Sequence, residues 1–186
     1  MKTTTRTITI FLLTIISSVS FSFKSIESEP PSTEQVKQLV ADWERAKAYS
    51  LEYLKVSTDE AIAFKPTPEM RTFGQQFLHL TEGLYVLGSA ATGKTTTVTF
   101  GSLEKSDQYN TKAALTKAVT EGYDFIIAGV KGMNDQQMPD KIKVFDMDIT
   151  KGLALSKVFE HQTHHRGQTT VYLRLKGITP PNEMLF

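Results

Sequence analysis

The sequence predicts an all-α protein built as a four-helix bundle. Four long segments carry apolar residues at helical spacing, and no repeat of 20 to 50 residues indicates a solenoid. The chain has 186 residues, of which 40% are hydrophobic and 22% charged, as in globular proteins. This is enough for one ordinary domain with a core, which we assign to residues 32–186.

The N-terminus has the pattern of a secretory signal peptide. Lys2 and Arg6 precede an apolar run over residues 8–19, and small residues follow it. A membrane anchor is the alternative, but a spanning helix needs about 20 apolar residues, and this run is shorter and interrupted by Thr and Ser. We therefore predict a signal peptide at residues 1–22, a linker at 23–31, and export to the periplasm or the medium.

Composition excludes several functional classes. The chain contains no cysteine, which excludes disulfides, Cys-ligated zinc, a Cys nucleophile and a lipoprotein anchor. The formal net charge is +1, and it becomes −1 when Lys2 and Arg6 leave with the signal peptide, since 19 basic residues then face 20 acidic ones. A nucleic-acid partner is not expected from this balance.

The first two helices are predicted from their apolar stripes and the prolines before them. Helix one is expected over residues 33–56, after Pro30 and Pro31, with Ser32 as the cap. Its aromatic residues are interpreted as core. Helix two is expected from about Glu69 to Gly88, where phenylalanine and leucine recur every three or four residues.

The third helix follows a Thr-rich loop, and the fourth follows a second connector. The connection between helices two and three is too long for a tight hairpin, so the sequence allows a crossover connection there. Helix three is predicted over residues 111–133, and helix four from near Thr150 to Gly177, with prolines just beyond. The connector between them, residues 134–150, leaves room for short extended pieces.

The segment GSAATGKT, Gly88 to Thr95, satisfies the P-loop pattern G-x-x-x-x-G-K-[ST]. A working P-loop lies between a buried strand and a helix, whose N-terminus faces the phosphates. Here a helical pattern precedes the motif and a Thr-rich stretch follows it. We therefore interpret Gly88 as a helix C-cap and Gly93 as a turn residue, and we expect no nucleotide partner.

Histidines carry the clearest chemical signal. His161 and His165 are four residues apart, so on a helix they lie on one face and can point at one metal ion. His79, on another helix, could complete a set of three, while His164 could replace His165 or support it. The alternative is that the cluster is a solvated helix face and His79 an ordinary packed or solvated residue.

Two motifs give the chain a family resemblance. RTFGQQFLHLTEG at residues 71–83 and EHQTHHRGQTTVYLRLKGITPP at 160–181 resemble the DinB family, including DinB-like proteins described as metal-dependent hydrolases. The resemblance covers essentially the whole predicted mature chain. It implies a four-helix bundle with up-down-down-up connectivity and a divalent metal held by three histidines. The motif matches place His79, His161 and His165 at the ligand positions.

The remaining motif residues receive no ligand role from the resemblance. These are His164, Arg166 and Gln168. The signal peptide is a departure, since better-known relatives are cytosolic.

Three imidazoles on zinc or nickel leave coordination positions open, as in catalytic sites. We expect a metal-dependent hydrolase of an unknown small-molecule substrate. A transferase that uses a low-molecular-weight thiol and a non-catalytic metal-binding module are the alternatives. No catalytic residue is assigned, since Glu82, three residues after His79, is interpreted as a surface or capping residue. A homodimer formed through outer apolar faces is left open.

Overall fold

The computed structural model describes residues 34–186. The predicted signal peptide, the linker and the Ser32 cap lie outside these residues. The elements are helices α1 (Glu34–Val56), α2 (Asp59–Ala63), α3 (Phe73–Thr92), α4 (Lys112–Lys131) and α5 (Lys151–Leu175), and strands β1 (Lys141–Val144) and β2 (Met147–Thr150). No helix within this part of the chain is long and apolar enough to cross a membrane.

The helices α3 and α5 pack against each other in antiparallel directions. Gln76 near the start of α3 bonds to Gln168 late in α5, and Gly83 farther along α3 lies against His161, earlier in α5. Both predicted histidine segments therefore face each other across one helix pair.

In contrast, α3 and α4 run parallel. Gly74 lies beside Leu115, and Gly88 lies beside Ile126, so contacts advance in the same direction along both helices. Parallel consecutive helices require a crossover, which residues 93–111 supply.

The helix α1 closes the bundle against α4 and α5. It is antiparallel to α4, because Glu44 pairs with Lys131 at the end of α4 while Ser50 bonds to Tyr123. The four long helices are therefore up, down, down and up in chain order, so the predicted fold class is confirmed.

The boundaries of α3 differ from the prediction. It begins at Phe73 because Thr72 and Gln75 form a capping box, and it continues to Thr92. The prediction that Gly88 is a C-cap is wrong: a Cβ there would lie 2.8 Å from Cδ1 of Ile126, so the glycine permits close packing of α4. The helix ends instead at Gly93, whose φ of 79° lies in the left-handed region.

The short elements were only partly foreseen. The single-turn helix α2, capped by Thr58, is too short to show an apolar period. The connector before α5 contains the antiparallel hairpin of β1 and β2, with Val144 opposite Met147 across a two-residue loop. The hairpin agrees with the sequence analysis, which leaves room for short extended pieces in residues 134–150.

The core lies between the four long helices and is rich in aromatic residues. The fully buried aromatic side chains are Trp43, Phe73, Phe77, Tyr123 and Tyr172. Each lies in one of the four predicted helical segments. Burial of these large rings contributes strongly to the packing of the bundle.

Candidate metal centre

Three histidines from two helices meet inside the bundle. The ring centroids of His161 and His165 on α5 are 4.5 Å apart, and His79 on α3 lies 5.2 Å from the first and 4.6 Å from the second. One ligand atom of each residue lies within 4.8 Å of the others. The three side chains could therefore hold one metal ion.

Close packing of α3 against α5 depends on Gly83. A Cβ at this position would lie 2.4 Å from Nδ1 of His161, so only glycine leaves room for the ring. The same Nδ1 is buried and has no hydrogen-bond partner within the described residues. Gly83 lies four residues after His79, a spacing on one helix face that could have pointed to this contact from the sequence.

A glutamine sets the orientation of His165. Gln76 Oε1 lies 2.8 Å from Nδ1 of His165, while its Nε2 donates to Gln168 Oε1 at 2.7 Å and to the Tyr172 hydroxyl at 3.2 Å. Because the amide nitrogen of Gln76 already has these acceptors, Oε1 of Gln76 accepts a hydrogen bond from the protonated Nδ1 of His165. The lone pair of that imidazole is therefore on Nε2, which is free for a metal.

The environment of His79 is charged. Its Nδ1 lies 3.3 Å from a guanidinium nitrogen of Arg71, 3.6 Å from Oε2 of Glu104 and 3.7 Å from Oε2 of Glu82. Arg71 and Glu104 form an ion pair at 2.7 Å. These groups fix the ring from the side that carries Nδ1.

Glu82 is fully buried, so its interpretation as a surface or capping residue is wrong. Its carboxylate accepts hydrogen bonds from the backbone N–H groups of Gly101 at 2.8 Å, Leu103 at 2.7 Å and Glu104 at 3.1 Å. The carboxylate thus fastens the crossover loop to α3 beside His79. Sequence reasoning missed this role because the partners are backbone groups about 20 residues away.

The cluster keeps its imidazoles neutral. Burial, and after it the neighbouring histidines and Arg71, lower the pKa of His165 to about 3 and that of His161 to about 4. The pKa of His79 is also lowered, first by burial and then by Arg71. The neutral form is the one that binds metals.

Comparison with known proteins shows which family this chain is related to. The model of the DinB family matches residues 32–184. The chain belongs to the DinB family.

This DinB-family chain is similar to one curated protein in sequence and to two solved structures in fold, all at low sequence identity. The uncharacterized protein YrdA of Bacillus subtilis (strain 168) is 24% identical over 153 residues, which are 80% of this chain and 87% of YrdA. A crystal structure of a DinB-like protein from Bacillus cereus ATCC 10987 superposes with a TM-score of 0.69 at 20% identity, covering 79% of this chain and 96% of the other. The DinB-like protein YjoA from Bacillus subtilis gives 0.61 at 17% identity, covering 80% and 96%.

The other residues of the DinB motif have structural contacts. His164 is exposed and bonds to Gln168 at 2.7 Å, outside the group of three histidines. Gln168 links His164 to Gln76. Arg166 is buried, donates to Gln162 at 2.9 Å and lies 4.3 Å from the centroid of the Tyr49 ring. It therefore joins α5 to α1.

The P-loop-like segment of this DinB-family chain forms the last turns of α3 and the residues after it. Lys94 follows the Gly93 cap, and its Nζ lies 5.2 Å from the centroid of the Phe125 ring. A helix C-terminus carries partial negative charge, whereas a phosphate needs the N-terminal end. This placement supports the expectation that the segment binds no nucleotide, which stays a prediction.

Proposed function

We propose that this DinB-family protein is an exported hydrolase that acts on a small molecule with a divalent metal ion, zinc or nickel. The ion would be held by His79, His161 and His165. The observation that carries the proposal is the convergence of three imidazoles from two helices, with His165 buried, His79 and His161 half-buried, and the pKa of each lowered.

The residues present fit such an ion. An all-nitrogen set suits zinc and nickel, and Gln76 already presents the free Nε2 of His165. Within residues 34–186, Glu82 and Glu104 approach His79 as a second possible group, but they are not grouped with His161 and His165. Three protein ligands leave positions open for a substrate, the pattern of catalytic rather than structural zinc sites.

The chemistry supplied by a bound ion would be Lewis-acid activation of water or of a substrate oxygen. The chain's own residues then orient the ligands and shape the approach. Arg71 and Glu104 hold His79, and both border a cavity that also includes Gln76 and Gln168. No histidine lines this cavity, but three of its side chains contact the histidines: Arg71 and Glu104 contact His79, and Gln76 contacts His165.

Metal analysis of the purified protein tests the proposal. The wild-type chain should hold one divalent ion, and replacing His79, His161 or His165 by Ala should abolish stoichiometric binding. His164→Ala is the matched control and should keep most of the metal, because that side chain is exposed and bonds to Gln168. A wild-type protein that binds no metal after incubation with zinc or nickel, or equal loss in the control, would contradict the assignment.

Export is tested separately by mass spectrometry of the native protein. An N-terminus near Ser22 or Phe23 is expected after cleavage. Recovery of a chain that still begins at Met1 from membranes would favour the anchor instead.

A further inference from the structure

Two exposed aromatic rings lie beside the histidines. Phe100 is 39% exposed, and its ring centroid is 5.6 Å from that of His79 and 6.4 Å from that of His161. Phe145 is 67% exposed and stacks on Phe100, with the centroids 6.5 Å apart and the ring planes 30° apart. We call Phe100 and Phe145 the aromatic shelf. It is apolar surface continuous with the candidate metal centre.

The backbone of Phe145 is in an unfavourable conformation. Its φ of 53° is the only positive value at a non-glycine residue within residues 34–186. The two-residue loop of the hairpin calls for glycine or asparagine at such a position, because a side chain with a bulky ring is disfavoured there. Burial offsets little of this cost, since most of the Phe145 ring is exposed. Strained exposed residues of this kind cluster at binding sites.

Both parts of the shelf are held by rigid neighbours. The residue after Phe100 is Gly101, whose N–H is bound by the buried carboxylate of Glu82. The residue before Phe145 is Val144, which is buried at the end of β1, and β1 packs against α3. The shelf is therefore preformed and is not a pair of mobile loop tips. Small-molecule sites are usually preformed in this way.

We propose that the aromatic shelf binds an aryl or alkyl group of the molecule on which the three histidines act. The substrate would then combine a polar reactive group, placed at the histidines, with an apolar group packed on Phe100 and Phe145. The proposal rests on the proposed metal-dependent function for the reactive end of the substrate. His79 therefore has both kinds of neighbour: Arg71 and Glu104 lie near its Nδ1, and the Phe100 ring lies 5.6 Å from its centroid.

Two metal-binding probes with one head group test the shelf. Protein loaded with Co²⁺ is titrated with acetohydroxamate and with benzohydroxamate, and the cobalt absorption spectrum reports binding. The wild type should prefer benzohydroxamate by about tenfold, because only its phenyl ring reaches apolar surface. Phe100→Ala and Phe145→Ala should lose that preference but keep their affinity for acetohydroxamate.

The controls separate the shelf from general effects of removing a ring. Phe186→Ala removes an exposed phenylalanine at the C-terminus and should leave the preference unchanged. Phe145→Leu keeps apolar area and should retain most of the preference. A full preference in Phe145→Ala and Phe100→Ala would overturn the proposal.

The stoichiometry of cobalt is measured first, so failure of the metal site is recognised independently. If the chain binds no cobalt, saturation-transfer NMR with benzyl alcohol tests the shelf on the metal-free protein. Transfer that is lost in Phe145→Ala supports the shelf, and equal transfer overturns it. A dimer that sediments as such in the wild type and dissociates in Phe145→Ala, with hydroxamate binding unchanged, would assign this face to contact between copies of the chain.

Discussion

Replacing Glu82 by Gln should destabilise the protein although the side chain keeps its size. The carboxylate is fully buried and accepts three backbone hydrogen bonds of 2.7 to 3.1 Å from the crossover loop. Oε1 accepts two of them, from Leu103 and Glu104, and Oε2 accepts the third, from Gly101. A glutamine can keep its oxygen at the first position only. Its NH₂ group then faces the N–H of Gly101, donor against donor.

The magnitude follows from this count. Hydrogen bonds to charged groups contribute about 1.5–3 kcal/mol each, and neutral ones about 1 kcal/mol. Glu82→Gln loses one charged bond outright and weakens two, which should lower the free energy of unfolding by roughly 3 kcal/mol. Glu82→Ala loses all three bonds and leaves a cavity, so its loss should be larger, at least about 4.5 kcal/mol.

Urea denaturation followed by circular dichroism measures the effect. The control is Glu52→Gln, which removes an exposed carboxylate paired with Lys55 three residues away and should cost less than about 0.5 kcal/mol. If Glu82→Gln unfolds within about 0.5 kcal/mol of the wild type, the three bonds do not hold the loop, and the account of the site's rigidity is wrong.

Three further predictions concern the site. Gly83→Ala should weaken metal binding at least about tenfold, because its Cβ would lie 2.4 Å from Nδ1 of His161. The control Gly167→Ala, whose Cβ would have nothing within 4 Å, should keep the metal and gain up to about 1 kcal/mol of stability. Equal metal affinities of the two variants in a competition titration would refute this. Phe145→Gly should be more stable than Phe145→Ala by about 1 kcal/mol in urea, because glycine accepts the φ of 53°; a less stable glycine variant would remove the argument from strain. The metal-free protein should lose stability as the pH falls below about 6.5. Histidines of the unfolded chain bind protons in that range, whereas the pKa values of His161 and His165 are lowered to about 4 and about 3 in the folded state. A urea midpoint equal at pH 7.5 and pH 4.5 would contradict this.

The long helices were predictable because their signal is local. An apolar stripe repeats within each segment, and the residues that end a helix lie next to it in the chain. The spacing of His161 and His165 is local in the same way, since four residues on a helix fix two rings on one face. The motif resemblance then implied the partner on α3.

Local sequence could not separate the two uses of glycine in α3. Gly88 and Gly93 are both small residues near a helix end, yet one packs against Ile126 and the other has a positive φ. The difference depends on α4, which approaches only Gly88. A glycine that permits contact and a glycine that ends a helix look the same until the neighbouring helix is in place.

The sequence by itself determined the four long helices, the all-α class and the placement of His161 and His165 on one helix face. Tertiary structure alone decided what surrounds them: that Glu82 is buried under the crossover loop, that Gln76 orients His165, and that Phe100 and Phe145 meet beside His79. The physical reason is the range of the forces involved. Helix formation depends on residues within about four positions, whereas burial, hydrogen-bond partners and pKa values depend on groups that only folding brings together.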